Sequence, residues 1–95
     1  MPGLKYTKDK LEWSLLDYDA LEPAIKVLTF GATKYSADNY KKGLYRSQVL
    51  DAIQRHLAEL MKGNEDDDES GENHAAHIIC NCLFYLHNYK HNKFL

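Results

Sequence analysis

Apolar residues recur at helical spacing in three stretches of this chain, and nowhere do they alternate with polar ones long enough to predict a strand. The first stretch is Leu21, Ala24, Ile25, Leu28 and Ala32, one face of a helix. Asp17 or Asp19 can cap it, Pro23 fits its opening turn, and it is predicted to run to about Tyr35. A second helix is predicted from Ser47, with Asp51 near its positive end, Leu50, Ile53, Leu57, Leu60 and Met61 towards a core, and Gly63 as its stop. Its opposite face carries Asp51, Arg55 and Glu59. The third helix is predicted from near Asn73 to about Asn88, with Ile78, Ile79, Cys82, Leu83, Leu86 and Tyr89 as its apolar side. Lys90, His91 and Lys93 follow, favourable beside a negative helix end.

Between these stretches lie two loops and before them an arm. Residues 36–46 are rich in turn formers, Tyr and Lys, and residues 63–73 hold two glycines around five consecutive acids, Glu65 to Glu69. Residues 1–16 scatter Leu4, Tyr6, Leu11, Trp13, Leu15 and Leu16 among charges without a period. Leaving such side chains in water costs roughly 25 cal/mol per Å² of apolar surface, so the arm is expected to cover a core or a neighbouring subunit.

The pattern predicts one all-α domain over residues 1–95, a small bundle of three main helices plus the arm of residues 1–16. A chain of 95 residues buries its core only partly when it folds alone, so a homo-oligomer is expected. Hydrophobic residues at 44% and charged ones at 27% are ordinary for a globular domain rather than a disordered one. The net charge of −2 argues against polymeric nucleic acid as partner, which would require a basic excess, and leaves a single nucleotide open. Cys80 and Cys82 point to different faces of the third helix and read as reduced core residues. With no apolar run near the length of a membrane span and no signal-peptide pattern, the expected location is the cytoplasm.

Candidate chemistry gathers on the second helix, the acidic loop and the start of the third helix. His74, His77 and Asn81 fall on one stripe of the third helix, and His56 and Glu59 share a face of the second. Facing stripes of this kind are how helical bundles build metal sites. Carboxylates suit Mg²⁺ and imidazoles move the preference towards Mn²⁺. Within the acidic run Asp67 and Glu69 are the chosen ligands, each weighed against a plainly solvated acid. His87 and His91 read as helix-end residues. Arg55 either pairs with Asp51 or Glu59 or grips a phosphate. The loop from Lys34 to Lys41 combines aromatic rings for a base, an amide for its edge and ammonium groups for phosphate, and would serve equally as a tyrosine-rich subunit contact. No nucleophile motif is present, so water activated by a metal is the hydrolytic chemistry these side chains support.

The blocks Leu11-Glu-Trp-Ser-Leu-Leu16, Ala20-Leu21, Val27 to Tyr35, Asn39-Tyr40, Arg55-His56-Leu57, Asp67-Asp-Glu-Ser-Gly71 and His74-Ala-Ala-His77 with Asn81 resemble, in this order, the phage and prophage dATP/dGTP diphosphohydrolase family, MazG-like all-α nucleotide pyrophosphohydrolases. The resemblance implies a MazG-like fold, hydrolysis of a deoxynucleoside triphosphate to monophosphate and pyrophosphate, dependence on Mg²⁺ or Mn²⁺, and an oligomer with sites near subunit contacts. It marks Lys34, Tyr35, Asn39, Arg55, His56, Asp67, Glu69, His74, His77 and Asn81 as site residues. Together with the reading of the residues, the expected metal ligands are His56, Glu59, Asp67, Glu69, His74 and His77. Nucleotide contacts are expected from Lys34, Tyr35, Asn39, Tyr40, Lys41, Arg55 and Asn81, and catalytic roles from Glu59, Glu69 and Arg55. One departure stands out: MazG-like enzymes carry Glu-x-x-Glu and Glu-x-x-Asp where this chain has His56-x-x-Glu59 and His74-x-x-His77. The alternative function is a protein that sequesters a nucleotide or a nucleotide-derived defence signal without hydrolysing it.

Overall fold

A computed structural model describes all 95 residues. It contains three α-helices, α1 (Tyr18–Lys34), α2 (Arg46–Met61) and α3 (His74–Lys90), with short 3₁₀ turns at Trp13–Leu15 and Asn39–Lys42 and no strand beyond one isolated bridge, Asp66 to Asn73. The fold is the expected all-α bundle, and each helix end lies within a residue or two of its predicted place.

Local chemistry explains those ends. Asp17 caps α1 by accepting a hydrogen bond from the Ala20 amide (3.1 Å), and Asn73 caps α3 through the Ala75 amide (2.8 Å). Pro23 lies one turn deeper than expected, as the sixth residue of α1, and the helix continues through it. Gly63 leaves α2 with φ +89°, a conformation a side chain would resist. Gly43 closes the Asn39–Lys42 turn at φ +103°, and a Cβ there would lie 3.1 Å from the Lys93 carbonyl, where the C-terminal tail crosses and Leu95 donates to the Leu44 carbonyl.

α2 and α3 form an antiparallel hairpin, with His56 beside His74 at one end and Arg46 over the Tyr85 ring at the other. α1 packs on α3, where the Cys80 thiol donates to the Ala24 carbonyl at 3.2 Å. Ala24, Val27, Ala76 and Cys80 are the buried centre of this contact, flanked by Leu21, Leu28 and Phe84. At the far end of α3 the fully buried Asn88 donates to the carbonyls of Tyr40 and Phe84, and Tyr40 stacks on Phe84 with centroids 4.7 Å apart. The aromatic turn is thereby fixed against α3.

The inward faces differ from those predicted. On α3 the packed row is Ala76, Cys80, Phe84 and Asn88, while Ile79, Cys82, Leu83, Leu86 and Tyr89 face outwards. On α2 the buried residue is Val49, and Leu50, Leu57 and Met61 are exposed; on α1 Val27 is inside and Ile25 and Ala32 are outside. Small side chains let the backbones of α1 and α3 approach, so residues of low hydropathy occupy the contact and the large apolar ones are left on the rim. Cys82 is therefore not a core residue, and the arm covers no core of its own chain, Trp13 being 69% exposed. No helix is long and apolar enough to cross a membrane.

Candidate metal and nucleotide site

The acidic loop is a tight hairpin rather than an open tract. The His74 amide donates to the Glu65 carbonyl, Asp67 to Glu72 and Gly71 to Asp67, all at 2.8 Å. Inside this frame the Asp67 carboxylate accepts from the Ser70 amide (2.9 Å), the Ser70 hydroxyl (3.1 Å) and the Glu69 amide (3.2 Å). Of the five consecutive acids, Asp67 alone turns inward; the other four are exposed.

Two helices bring imidazoles to that carboxylate. His56 of α2 and His74 of α3 face each other with their Nδ1 atoms 2.8 Å apart, so in the absence of an ion one donates its proton to the other. The His77 ring stacks on His56 (4.4 Å between centroids, 11° between planes), and its Nε2 lies 2.6 Å from the Ser70 hydroxyl and 3.6 Å from Asp67 Oδ2. His56, Asp67 and His74 each present one ligand atom, all within 4.8 Å of one another. Burial, then the neighbouring imidazoles His77 and His74, lowers the His56 pKa below its ordinary value. Burial likewise lowers that of His77. For Asp67 burial pushes upward, but the hydrogen bonds from Ser70 and the adjacent imidazoles prevail and hold the carboxyl below its usual range. His56 and His77 are thus favoured as neutral imidazoles beside an ionised carboxylate.

The cluster sits at the waist of two hollows. On one side a cleft of about 750 Å³ runs between α1, the Asn39 turn, α2 and α3, with Leu28, Val49 and Phe84 on its walls and the amides of Asn39, Gln48 and Asn81 among them. On the other a polar recess of about 800 Å³ is bounded by Glu59, Lys62, Asn64 and the acidic loop. Arg55, His56 and Asp67 border both.

The remaining expected site residues are distributed around this waist. Lys34 and Glu69 form an ion pair at the cleft mouth, which raises the Lys34 pKa. Tyr35, Asn39, Tyr40 and Asn81 line the cleft, Asn81 donating to the His77 carbonyl at 2.9 Å. Lys41 is bound to Asp38 (3.0 Å) and lies outside the lining. Arg55 is exposed and 3.8 Å from Asp51. Glu59 is held by Asn64 (2.7 Å) and Lys62 (3.6 Å) on the recess side, and of the expected ligands Glu59, Glu69 and His77 lie outside the trio. Ser70 and Gln48 were not anticipated. The Asp-x-x-Ser spacing, which closes a hydrogen-bonded turn, is the signal that points to Ser70; nothing in the pattern singles out Gln48.

An imidazole and carboxylate cluster lies at the waist of an all-helical hairpin beside a partly apolar cleft, and its donor atoms could hold a cation. Sequence comparison narrows this: residues 1–95 match the family described as dATP/dGTP diphosphohydrolase, N-terminal, and the chain belongs to that family. It is 40% identical over 84 residues, 88% of this chain, to a dATP/dGTP diphosphohydrolase of Salmonella phage PMBT28. The chain spans 29% of the length of that relative. No solved structure matches it.

Proposed function

We propose that this chain hydrolyses a deoxynucleoside triphosphate, dATP or dGTP, to the monophosphate and pyrophosphate, with a divalent cation held by His56, Asp67 and His74, and that it does so as a homo-oligomer. The observation that carries this is the position of the ligand trio between a partly apolar cleft and a polar recess. The name of the phage relative supplies the substrate class.

In this reading the nucleoside lies in the cleft, its base against Leu28 and Phe84 and within reach of the amides of Asn39, Gln48 and Asn81. The phosphates cross the waist, where Arg55 and Lys34 balance their charge. Both cations are held loosely by exposed carboxylates, so phosphate can replace Asp51 and Glu69 as their partners. A bound divalent ion supplies phosphate charge neutralisation and a more acidic water. Glu59 on the recess side and Glu69 on the cleft side are the carboxylates left to take the proton. The hydrogen bond from Asn64, aided by Lys62, lowers the Glu59 pKa, which makes this carboxylate a weaker base than an unpartnered one.

The test is incubation with each common ribo- and deoxynucleoside triphosphate and Mg²⁺ or Mn²⁺, with products resolved by chromatography. Monophosphate and pyrophosphate from deoxypurine substrates, lost with chelator, are expected. A triphosphate retained intact by the protein would overturn hydrolysis in favour of sequestration. Glu59→Gln and Glu69→Gln then identify the base: the one that fills that role loses turnover while substrate retention persists.

A further inference from the structure

The donor set at the waist does not match a site for a hard cation. Mg²⁺ is held by oxygen ligands, through one or two carboxylates with several retained waters. Here two of the three converging ligand atoms are imidazole nitrogens. None of the neighbouring acids contributes a ligand atom to the trio: Glu69 lies with Lys34, Glu59 with Asn64 and Lys62, and Glu65 with the Asn73 side-chain amide. Asp66 and Asp68 are exposed along the polar recess, and neither contributes a ligand atom to the trio.

The spacing carries a second argument. Two nitrogens each about 2.0–2.1 Å from one ion and at right angles are about 2.8–3.0 Å apart. The His56 and His74 Nδ1 atoms stand 2.8 Å apart, where the ion-free cluster shares a proton, and a carboxylate oxygen of Asp67 lies within 4.8 Å of a ring nitrogen of each, on the side that borders the recess. Around this cluster the support is already made. The Ser70 hydroxyl links Asp67 to His77, and the His77 ring lies flat on His56. Ser70 and His77 are positioning residues that fix the orientation of two ligands.

We infer that His56, His74 and Asp67 form a two-imidazole, one-carboxylate centre that selects a first-row transition dication, such as Mn²⁺, Co²⁺ or Zn²⁺, over Mg²⁺. The ion's purpose rests on the hydrolase reading; its binding does not, and is measured without nucleotide. Imidazole donors suit these ions, and their affinities for a mixed nitrogen and oxygen site rise from Mn²⁺ through Co²⁺.

The experiment uses the full chain after chelator treatment and dialysis. Co²⁺ is titrated while its visible d–d absorption is recorded, and Mn²⁺ while the paramagnetic resonance signal of the free ion is followed. One ion per chain is expected, with roughly a hundredfold excess of Mg²⁺ failing to displace it. His56→Gln and His74→Ala should abolish the Co²⁺ spectrum, and His77→Ala should weaken binding about tenfold or more. His91→Ala, on the tail, should leave it unchanged. Because His74 is buried and its loss can perturb the hairpin, the half-exposed His56 is the decisive variant, with helicity checked by circular dichroism. Displacement of Mn²⁺ by an equal concentration of Mg²⁺, or a Co²⁺ spectrum that survives His56→Gln, overturns the inference. So does a cluster that binds neither ion and holds only a shared proton between the two rings. None of these results bears on whether triphosphates are cleaved, which the product assay decides separately.

Discussion

Cys80 and Cys82 lie two residues apart on α3 in different surroundings. Cys80 is 1% exposed and burial pushes its thiol up to about 11, whereas Cys82 faces solvent. A thiol reagent at mildly alkaline pH should therefore modify Cys82 alone in the native protein and both residues in denaturant, as mass spectrometry will show. Rapid double modification without denaturant would mean that the α1–α3 contact opens. The same contrast shows how much of the site was legible at this scale. His56, His74 and Asp67 could be named because imidazoles and a carboxylate are rare enough, at those spacings, to stand out. The separation of Asp67 from its four acidic neighbours could not be read so firmly, because it depends on the turn that Ser70 closes. Glu69, chosen with Asp67 as a ligand, instead reaches across to Lys34, a partner 35 positions away that no local pattern reveals.

At the scale of elements, the hairpin of α2, acidic loop and α3 is the unit that responds to pH. His56 and His77 have pKa values lowered in the folded state, first by burial. The unfolded chain therefore binds more protons than the folded one below the ordinary histidine value of about 6.5. Their contribution to stability is complete above that value and is lost as pH falls through the lowered ones. Asp67, lowered from a carboxylate value, adds a loss only at still lower pH. For chelator-treated protein the melting temperature should fall between pH 7.5 and 5.5, and His56→Gln should flatten that slope. A melting temperature that is level or rises over this range would contradict the burial argument. Saturating metal should raise the melting temperature at neutral pH and lose its effect as the imidazoles protonate. The hairpin itself was legible, since caps and glycines mark its ends within a residue or two. Which side faces inward was legible in part: Leu21, Ala24 and Leu28 of α1 and Cys80 of α3 were named, whereas the rest of the α3 face was not. Periodicity tracks hydropathy, while the α1–α3 contact is decided by size, and Ala24, Ala76 and Cys80 win positions that Ile79 and Leu83 cannot fill.

The molecule as a whole carries the consequence of that inversion. Only seven of 95 residues are buried, and no buried apolar side chain is larger than valine. A folded monomer of 11.0 kDa is expected to expose about 5,600 Å², and one of this length to have a radius of gyration of about 12 Å. This chain exposes 7726 Å² with a radius of gyration of 16.5 Å. The excess, about 2,000 Å² on one chain, exceeds the roughly 800 Å² that each partner buries in a standard interface. The exposed arm accounts for part of it, but Leu50 and Leu57 on α2 and Ile79, Leu83 and Leu86 on α3 recur at helical spacing, which is the pattern of a face awaiting another helix pair. In the proposed homo-oligomer a second copy of the hairpin would supply one, completing a four-helix bundle around large apolar residues that the monomer leaves in water. Light scattering on the eluting protein should give a mass at least twice that of the chain. Leu83→Glu, at the middle of the α3 row, should convert it to monomer with a lower melting temperature. Leu4→Glu in the arm should change neither by a comparable amount. A wild-type chain that elutes as a stable monomer, or a Leu83→Glu variant that keeps the native mass, would remove this face from the assembly and leave the apolar excess to the arm alone.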